Sequence, residues 1–179
     1  MQIKAAQQDV QSTFLRGSVG QTVSGLVWLA SATLGTWVNE RAAILVLVFV
    51  GAMIFPLTQL GLRLLGRPAG LAKGHPMNAL AMQVAFIAPL SLPLIGAAAL
   101  YNINWFYSAF MLALGTHYLP FMFLYGMWEF GVLAALLIGG GAAVGMLFPD
   151  AFTPGGWFTG VILLLFAVLV QITPRFSRR

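Results

Sequence analysis

The stretch from Trp105 to Met146 is almost uninterruptedly apolar, and it limits the possible folds more than any other feature of the chain. As one helix rising about 1.5 Å per residue it would be about 63 Å long, which is two thicknesses of a bilayer's hydrocarbon core. We therefore predict a break near Tyr125 and Gly126, with a membrane-spanning helix on each side. Only 7% of all residues are charged, against about a quarter in a soluble domain. The sequence predicts an integral membrane protein.

Six segments have the length and apolar composition of membrane-spanning helices. We predict an all-α, polytopic transmembrane helical bundle that forms a single domain over residues 1–179. The third segment contains Pro89 and Pro93, each of which removes a backbone donor, so we do not expect a straight helix there. Trp105, Phe106 and Tyr107 form an aromatic cluster typical of a membrane interface. The predicted spans cover about residues 19–38, 41–62, 78–100, 105–124, 127–147 and 156–173, with an N-terminal segment 1–17 and a loop 63–77.

The basic residues predict the orientation, because cytoplasmic loops carry the excess of Lys and Arg. With six spans and both termini in the cytoplasm (N-in, C-in), Arg41 is the only one of the nine basic residues outside. If the third segment were a re-entrant loop, five spans would remain and the basic residues would divide almost evenly. Charge therefore favours six spans. The residues predicted to be cytoplasmic are Lys4, Arg16, Arg63, Arg67, Lys73, Arg175, Arg178 and Arg179.

The segment before the first span is polar, but its apolar residues recur at helical spacing. Ile3, Ala6, Val10 and Phe14 would share one face of a helix. Two interpretations remain open, a helix on the membrane surface and a frayed tail.

Polar residues within the spans indicate a candidate pathway through the bundle. His117, in the middle of the fourth span, is either an ionisable group on a pathway or a neutral imidazole bonded to a neighbouring helix. Glu129 follows the predicted break and is either a capping or interfacial residue at a helix N-terminus or a carboxylate facing a cavity. The candidate pathway residues are His117, Tyr118, Glu129, Gln83, Ser91, Gln21 and Ser24.

Glycines in the fifth span are spaced for close helix packing. They serve contacts within one protomer or a contact between copies, and the pattern alone does not decide. Leu34-Gly35-Thr36 also recurs as Leu114-Gly115-Thr116, which raises the possibility of two inverted three-helix repeats. The predicted packing glycines are Gly131, Gly139, Gly141 and Gly145.

Several classes of site are excluded by the motifs. The chain has no cysteine, no phosphate-binding loop, no dinucleotide fingerprint and no HExxH sequence. His75 and His117 do not make a standard zinc site by themselves, so we expect no metal and no cofactor. The basic residues are scattered among apolar runs and do not form one stripe, so we expect no nucleic-acid partner.

Two stretches, QQDVQSTFLRGSVGQTVSGLVW and LGTHYLPFMFLYGM, resemble an uncharacterised family of small bacterial multi-pass integral membrane proteins, a domain of unknown function. The resemblance covers the N-terminal fifth of the chain and the fourth span. It implies a multi-pass protein of a bacterial inner membrane and implies no activity.

Three functional hypotheses follow from these patterns. The first is a small transporter or channel-like protein for an unknown small molecule or ion, with a polar site near the bilayer midplane. The second is a non-catalytic membrane scaffold or partner subunit, which would form a homo-oligomer or bind another protein. The third is an intramembrane enzyme acting on lipid, which requires His117, Tyr118 and Glu129 to line one cavity.

Overall fold

A computed structural model describes residues 2–173. Within that range the chain forms seven helices and no strand. The predicted cytoplasmic positions of Arg175, Arg178 and Arg179 lie outside the described residues. The helices are α1 (Ile3–Thr13), α2 (Ser18–Trp37), α3 (Glu40–Leu64), α4 (Asn78–Tyr101), α5 (Ile103–Tyr125), α6 (Glu129–Leu147) and α7 (Pro154–Ile172).

Five of the helices in the described part, α3 to α7, are long and apolar enough to cross a membrane. The remaining long helix, α2, has 20 residues and so the length for a crossing of about 30 Å. Its polar residues, among them Gln21, Ser24 and Ser31, distinguish it from the other five. The predicted all-α fold is confirmed, with five helices apolar enough for a membrane, whereas the sixth span and the orientation of the termini remain predictions.

The break predicted near Tyr125 and Gly126 is present in the structure. α5 ends at Tyr125, and Gly126 takes a left-handed conformation with φ of 62°. The backbone N–H groups of Gly126 and Met127 donate to the carbonyls of Phe123 and Met122, which closes the C-terminus of the helix. The tight turn then places Glu129 at the first position of α6.

Pro89 and Pro93 do not interrupt α4, which is one continuous helix of 24 residues. This helix packs on α5, with Val84 and Ile95 buried. Both prolines lie on the side of α4 that is exposed in the isolated chain.

Four helices, α2, α5, α6 and α7, make up the centre of the bundle, with α3 packed on α2 and α4 packed on α5. α2 and α7 approach closely through two glycines. A Cβ atom on Gly25 would lie 3.1 Å from the carbonyl oxygen of Gly160, and one on Gly160 would lie 3.1 Å from the backbone nitrogen of Leu29. Small residues are therefore required at this crossing.

The repeat hypothesis would divide the helices into two halves, α2–α4 and α5–α7, and it remains a prediction. The first helix of each half, α2 or α5, packs against the second helix of its own half and the third helix of the other. The repeated Leu-Gly-Thr sequence does not mark equivalent positions, however. Gly35 faces Phe152 and Thr153, which directly precede α7. Gly115 instead faces Ala134 and Ile138 of α6.

The N-terminal segment is a helix packed on one end of the bundle. Ala6 and Val10 of α1 are buried, while Ile3 is 58% exposed. Gln7 and Gln11 donate their side-chain amides to the carbonyl oxygens of Phe123 and Tyr125 at 2.6 and 2.7 Å. The bond from Gln11 gives the Tyr125 carbonyl at the C-terminus of α5 a partner, and the bond from Gln7 is a second one to the Phe123 carbonyl, which also accepts from Gly126. The interpretation as a frayed tail is therefore wrong for this helix.

Candidate functional site

The buried polar side chains of α2 face the tyrosines of α5. Gln21 and Ser24 lie one turn apart on α2 and are only 4% and 5% exposed. The hydroxyl of Tyr118 donates to the amide oxygen of Gln21 at 2.7 Å. The structure therefore brings three of the predicted pathway residues together, in a contact between two central helices.

A second polar contact lies about three turns further along the same two helices. Ser31 and Tyr107 are completely buried, and their hydroxyl oxygens are 2.6 Å apart. The Ser31 hydroxyl also lies 2.8 Å from the carbonyl oxygen of Ala43, which fixes α3 to the same point. Trp28 packs against the Tyr107 ring between the two contacts. We call Gln21, Ser24, Ser31, Tyr107 and Tyr118 the polar seam.

The position of Tyr107 corrects the predicted interfacial aromatic cluster. Tyr107 and Phe106 are 0% and 2% exposed, whereas Trp105 is 38% exposed. Phe106 and Tyr107 pack against Phe152 and so belong to the core of the bundle. Only Trp105 retains the exposure of an interfacial residue, because the helix turns the two following rings inward.

His117 is adjacent to the polar seam in sequence but takes no part in its hydrogen bonds. Its ring lies toward the backbone of Val84 in α4. The rings of Tyr118 and Phe121 have centroids 5.3 and 5.0 Å from it. Its Nδ1 atom is buried and has no hydrogen-bond partner among the described residues. The imidazole therefore packs between α4 and α5.

The link between α1 and α2 has an unusual backbone. Leu15, Arg16 and Gly17 all have positive φ, at 48°, 58° and 84°. Only glycine takes this left-handed region without steric penalty. Such strained conformations persist where the surrounding contacts hold them, and here Arg16 supplies those contacts.

Arg16 joins the ends of α6 and α7. Its Nη1 atom donates to the carbonyl oxygens of Val170 and Thr173 at 2.6 and 2.7 Å. Its Nη2 atom lies 3.4 Å from the Glu129 carboxylate, and the two side chains are 12% and 15% exposed. The cation is therefore at the negative C-terminal end of α7, and the carboxylate is at the positive N-terminal end of α6. Glu129 thus lies at a helix end in an ion pair.

The other predicted residues are dispersed. Gln83 is on the exposed side of α4, and the Ser91 hydroxyl donates to the carbonyl oxygen of Ile87 in its own helix. Of the predicted packing glycines, Gly141 and Gly145 face Ser108 of α5. Gly131 meets Met122, also in α5, while Gly139 has nothing within 4 Å of the position that a Cβ atom would take.

Two open cavities lie at the Arg16 end of the bundle. One of about 470 Å³ is bordered by α2, α7 and Leu65. The other, of about 300 Å³, is bordered by Gln11, Arg16 and the last turn of α7. None of His117, Tyr118 and Glu129 lines either cavity.

Arg16, Ser31 and Tyr107 are the residues that the candidate pathway missed. Ser31 lies seven residues after Ser24, which is two helical turns on the same face and could have been recognised. Tyr107 lies eleven residues before Tyr118, again on one face. No spacing pattern in the sequence predicted the contacts of Arg16, because its partners are more than 110 residues later in the chain.

These features define a class, a small all-α protein with helices apolar enough to cross a membrane, in which buried polar side chains join α2 to α3 and α5. The chain belongs to a family of unknown function (DUF7010), whose model matches residues 3–173. This confirms the resemblance to an uncharacterised family. Neither a curated protein nor a solved structure matches the chain.

Proposed function

We propose that the chain is a non-catalytic scaffold subunit of a bacterial inner membrane, which associates with a second copy of itself through the exposed face of α4. In this proposal it crosses the membrane six times, and both termini are cytoplasmic. The polar helix α2 is the first span. It is accommodated because Gln21 and Ser31 have partners on α5, so these groups need not face lipid.

The face of α4 directed away from the bundle carries the proposal. It is formed by Met82, Phe86, Leu90 and Leu94, which are 55–76% exposed, together with Gln83. An amide in contact with lipid is unfavourable unless it finds a hydrogen-bond partner. Glutamine has both a donor and an acceptor, so two copies of Gln83 can bond to each other across a two-fold axis.

The prolines of α4 support a contact on this face. Pro89 and Pro93 cannot donate to the carbonyls of Ala85 and Pro89, as residues in a regular helix would. Ala85, Pro89 and Pro93 are all exposed in the isolated chain. A neighbouring helix covers this irregular surface, and Gln83, Leu90 and Ala97 recur at the seven-residue spacing of a helix pair.

Disulfide cross-linking tests the association directly, because the chain has no native cysteine. We expect Leu90→Cys in membranes to give a covalent dimer under oxidation. Leu165→Cys is the matched control, since Leu165 is 61% exposed on α7. In the Leu90→Cys background, Gln83→Leu should lower dimer formation about 3- to 10-fold, as expected for one interhelical hydrogen bond. Equal cross-linking from both cysteines, or none from Leu90→Cys, would refute the proposal.

Labelling with a membrane-impermeant thiol reagent tests the six-span orientation. Gly70→Cys in the loop between α3 and α4 should react only from the cytoplasm. Thr153→Cys, directly before α7, should react only from outside. Labelling of both from one side would eliminate this topology.

The transport and lipid-enzyme hypotheses have less support. Transport needs an accessible cavity at His117, but the ring packs against Tyr118 and Phe121 and lines neither of the two cavities described above. The enzyme needs His117, Tyr118 and Glu129 around one substrate. Glu129 instead pairs with Arg16 at the end of the bundle, and His117 lies about 12 Å before the end of α5.

A further inference from the structure

The larger cavity is an open groove between α2 and α7. Its walls are mostly aliphatic, with Val19 and Val23 on one side and Ala167 and Val168 on the other. Leu65, just after the end of α3, also lines it. A groove of this composition on membrane-spanning helices suits a hydrocarbon chain.

The smaller cavity adjoins the groove and is polar. The two share Leu15, Gln171 and Ile172 as lining residues. Arg16 also lines the smaller cavity, and its Nε atom is buried without a hydrogen-bond partner among residues 2–173. An apolar groove therefore leads into a polar space that still has a donor available.

Two arginines are close in sequence to Leu65, a lining residue of the groove. Arg63 and Arg67 flank Leu65 in sequence, and both are exposed. Among the described residues the one arginine within 4 Å of a carboxylate is Arg16, beside Glu129, so neither flanking arginine is in an ion pair. Two unpaired guanidinium groups favour an anion, and phosphate in particular.

We propose that the groove and the adjoining cavity bind one anionic phospholipid of the cytoplasmic leaflet. One acyl chain lies between Val23 and Val168. The ester and glycerol oxygens lie near Gln171 and Arg16, and the headgroup phosphate lies against Arg63 and Arg67. The site is on α2, α3 and α7, and so it is independent of the α4 contact.

Native mass spectrometry of the full chain in mild detergent tests the site, with phosphatidylglycerol and phosphatidylcholine of identical acyl chains titrated separately. We expect one phosphatidylglycerol to be retained in preference to phosphatidylcholine. Arg63→Gln combined with Arg67→Gln should weaken phosphatidylglycerol binding about 25-fold, from about 5-fold for each basic residue near an anionic lipid. Arg41→Gln, at the opposite end of the bundle, is the control and should leave phosphatidylglycerol binding unchanged.

A second test fills the groove with a larger side chain and measures lipid binding. Val168→Phe fills it and should weaken binding of both lipids, whereas Val161→Phe, two turns away on the same face of α7, should not. Both valines are exposed, at 59% and 46%, so neither change disturbs the core. The proposal is overturned if the arginine pair or Val168→Phe leaves lipid binding unchanged. It is overturned equally if both lipids bind alike, or if inorganic phosphate alone binds as tightly as the lipid.

Discussion

The hydrogen bond between Tyr118 and Gln21 allows a quantitative test of the polar seam. Tyr118→Phe removes one hydroxyl and leaves the ring, so the packing with Phe121 and Phe130 is retained. The amide oxygen of Gln21 then loses its donor at a site where both residues are less than 5% exposed. Water has no access to replace the missing bond.

The magnitude follows from this burial. A buried acceptor left without its donor costs about 1–3 kcal/mol, whereas removing both partners is nearly neutral. We therefore expect Tyr118→Phe to destabilise the chain by about 2 kcal/mol, and Gln21→Leu to cancel about 1 kcal/mol of that loss. The coupling expected for one bond between membrane helices is about 0.6 to 1.7 kcal/mol.

The assay is a double-mutant cycle, with the free energy of unfolding measured by circular dichroism as SDS is added to mixed micelles. Thr33→Val replaces Gln21→Leu in the control cycle, because Thr33 is exposed and its hydroxyl bonds to the carbonyl oxygen of Leu29 in its own helix. Additive effects of Tyr118→Phe and Gln21→Leu, within about 0.4 kcal/mol, would refute the hydrogen bond as a stabilising contact.

Three further substitutions test other parts of the fold by the same unfolding measurement. Arg16→Gln should lower the free energy of unfolding by about 3 kcal/mol, because it removes charge-assisted bonds to two carbonyls and a carboxylate. Arg41→Gln is the control, since Arg41 is exposed and its loss should change stability by less than about 0.5 kcal/mol. Gly160→Ala should cost about 1–3 kcal/mol by forcing α2 and α7 apart, and Gly139→Ala, with nothing within 4 Å, should be tolerated. Gly126→Ala should cost about 1 kcal/mol or more from its left-handed conformation, and equal stability of the variant would contradict the turn described above.

The sequence predicts the helices well because hydropathy and turn residues act locally. Gly126 is the clearest case, since an apolar stretch twice the bilayer thickness must turn and glycine accepts the left-handed conformation required. The prolines of α4 show the limit of such rules. Pro89 and Pro93 each remove one hydrogen bond, yet the remaining bonds maintain the helix from Asn78 to Tyr101.

The candidate site was less predictable because it depends on which helices become neighbours. His117 and Tyr118 are adjacent in sequence, but successive residues of a helix point about 100° apart, so one faces α4 and the other α2. Arg16 binds residues more than 110 positions away, and no local pattern reports such a contact. Conversely, Gln21 and Ser24 could be selected because two polar residues one turn apart in a membrane helix favour a shared buried face.

The polar seam also has a consequence for how the protein is made. The partner of Gln21 lies 97 residues later in the chain. At a synthesis rate of about 5–20 residues per second, α2 waits about 5 to 20 seconds before Tyr118 emerges. During that interval its amide and hydroxyl groups have no partner on α5, so α2 is poorly suited to settle in lipid alone. In the proposed six-span topology, we expect α2 to remain beside the insertion machinery until α5 arrives, so that the first span synthesised is one of the last released into the bilayer.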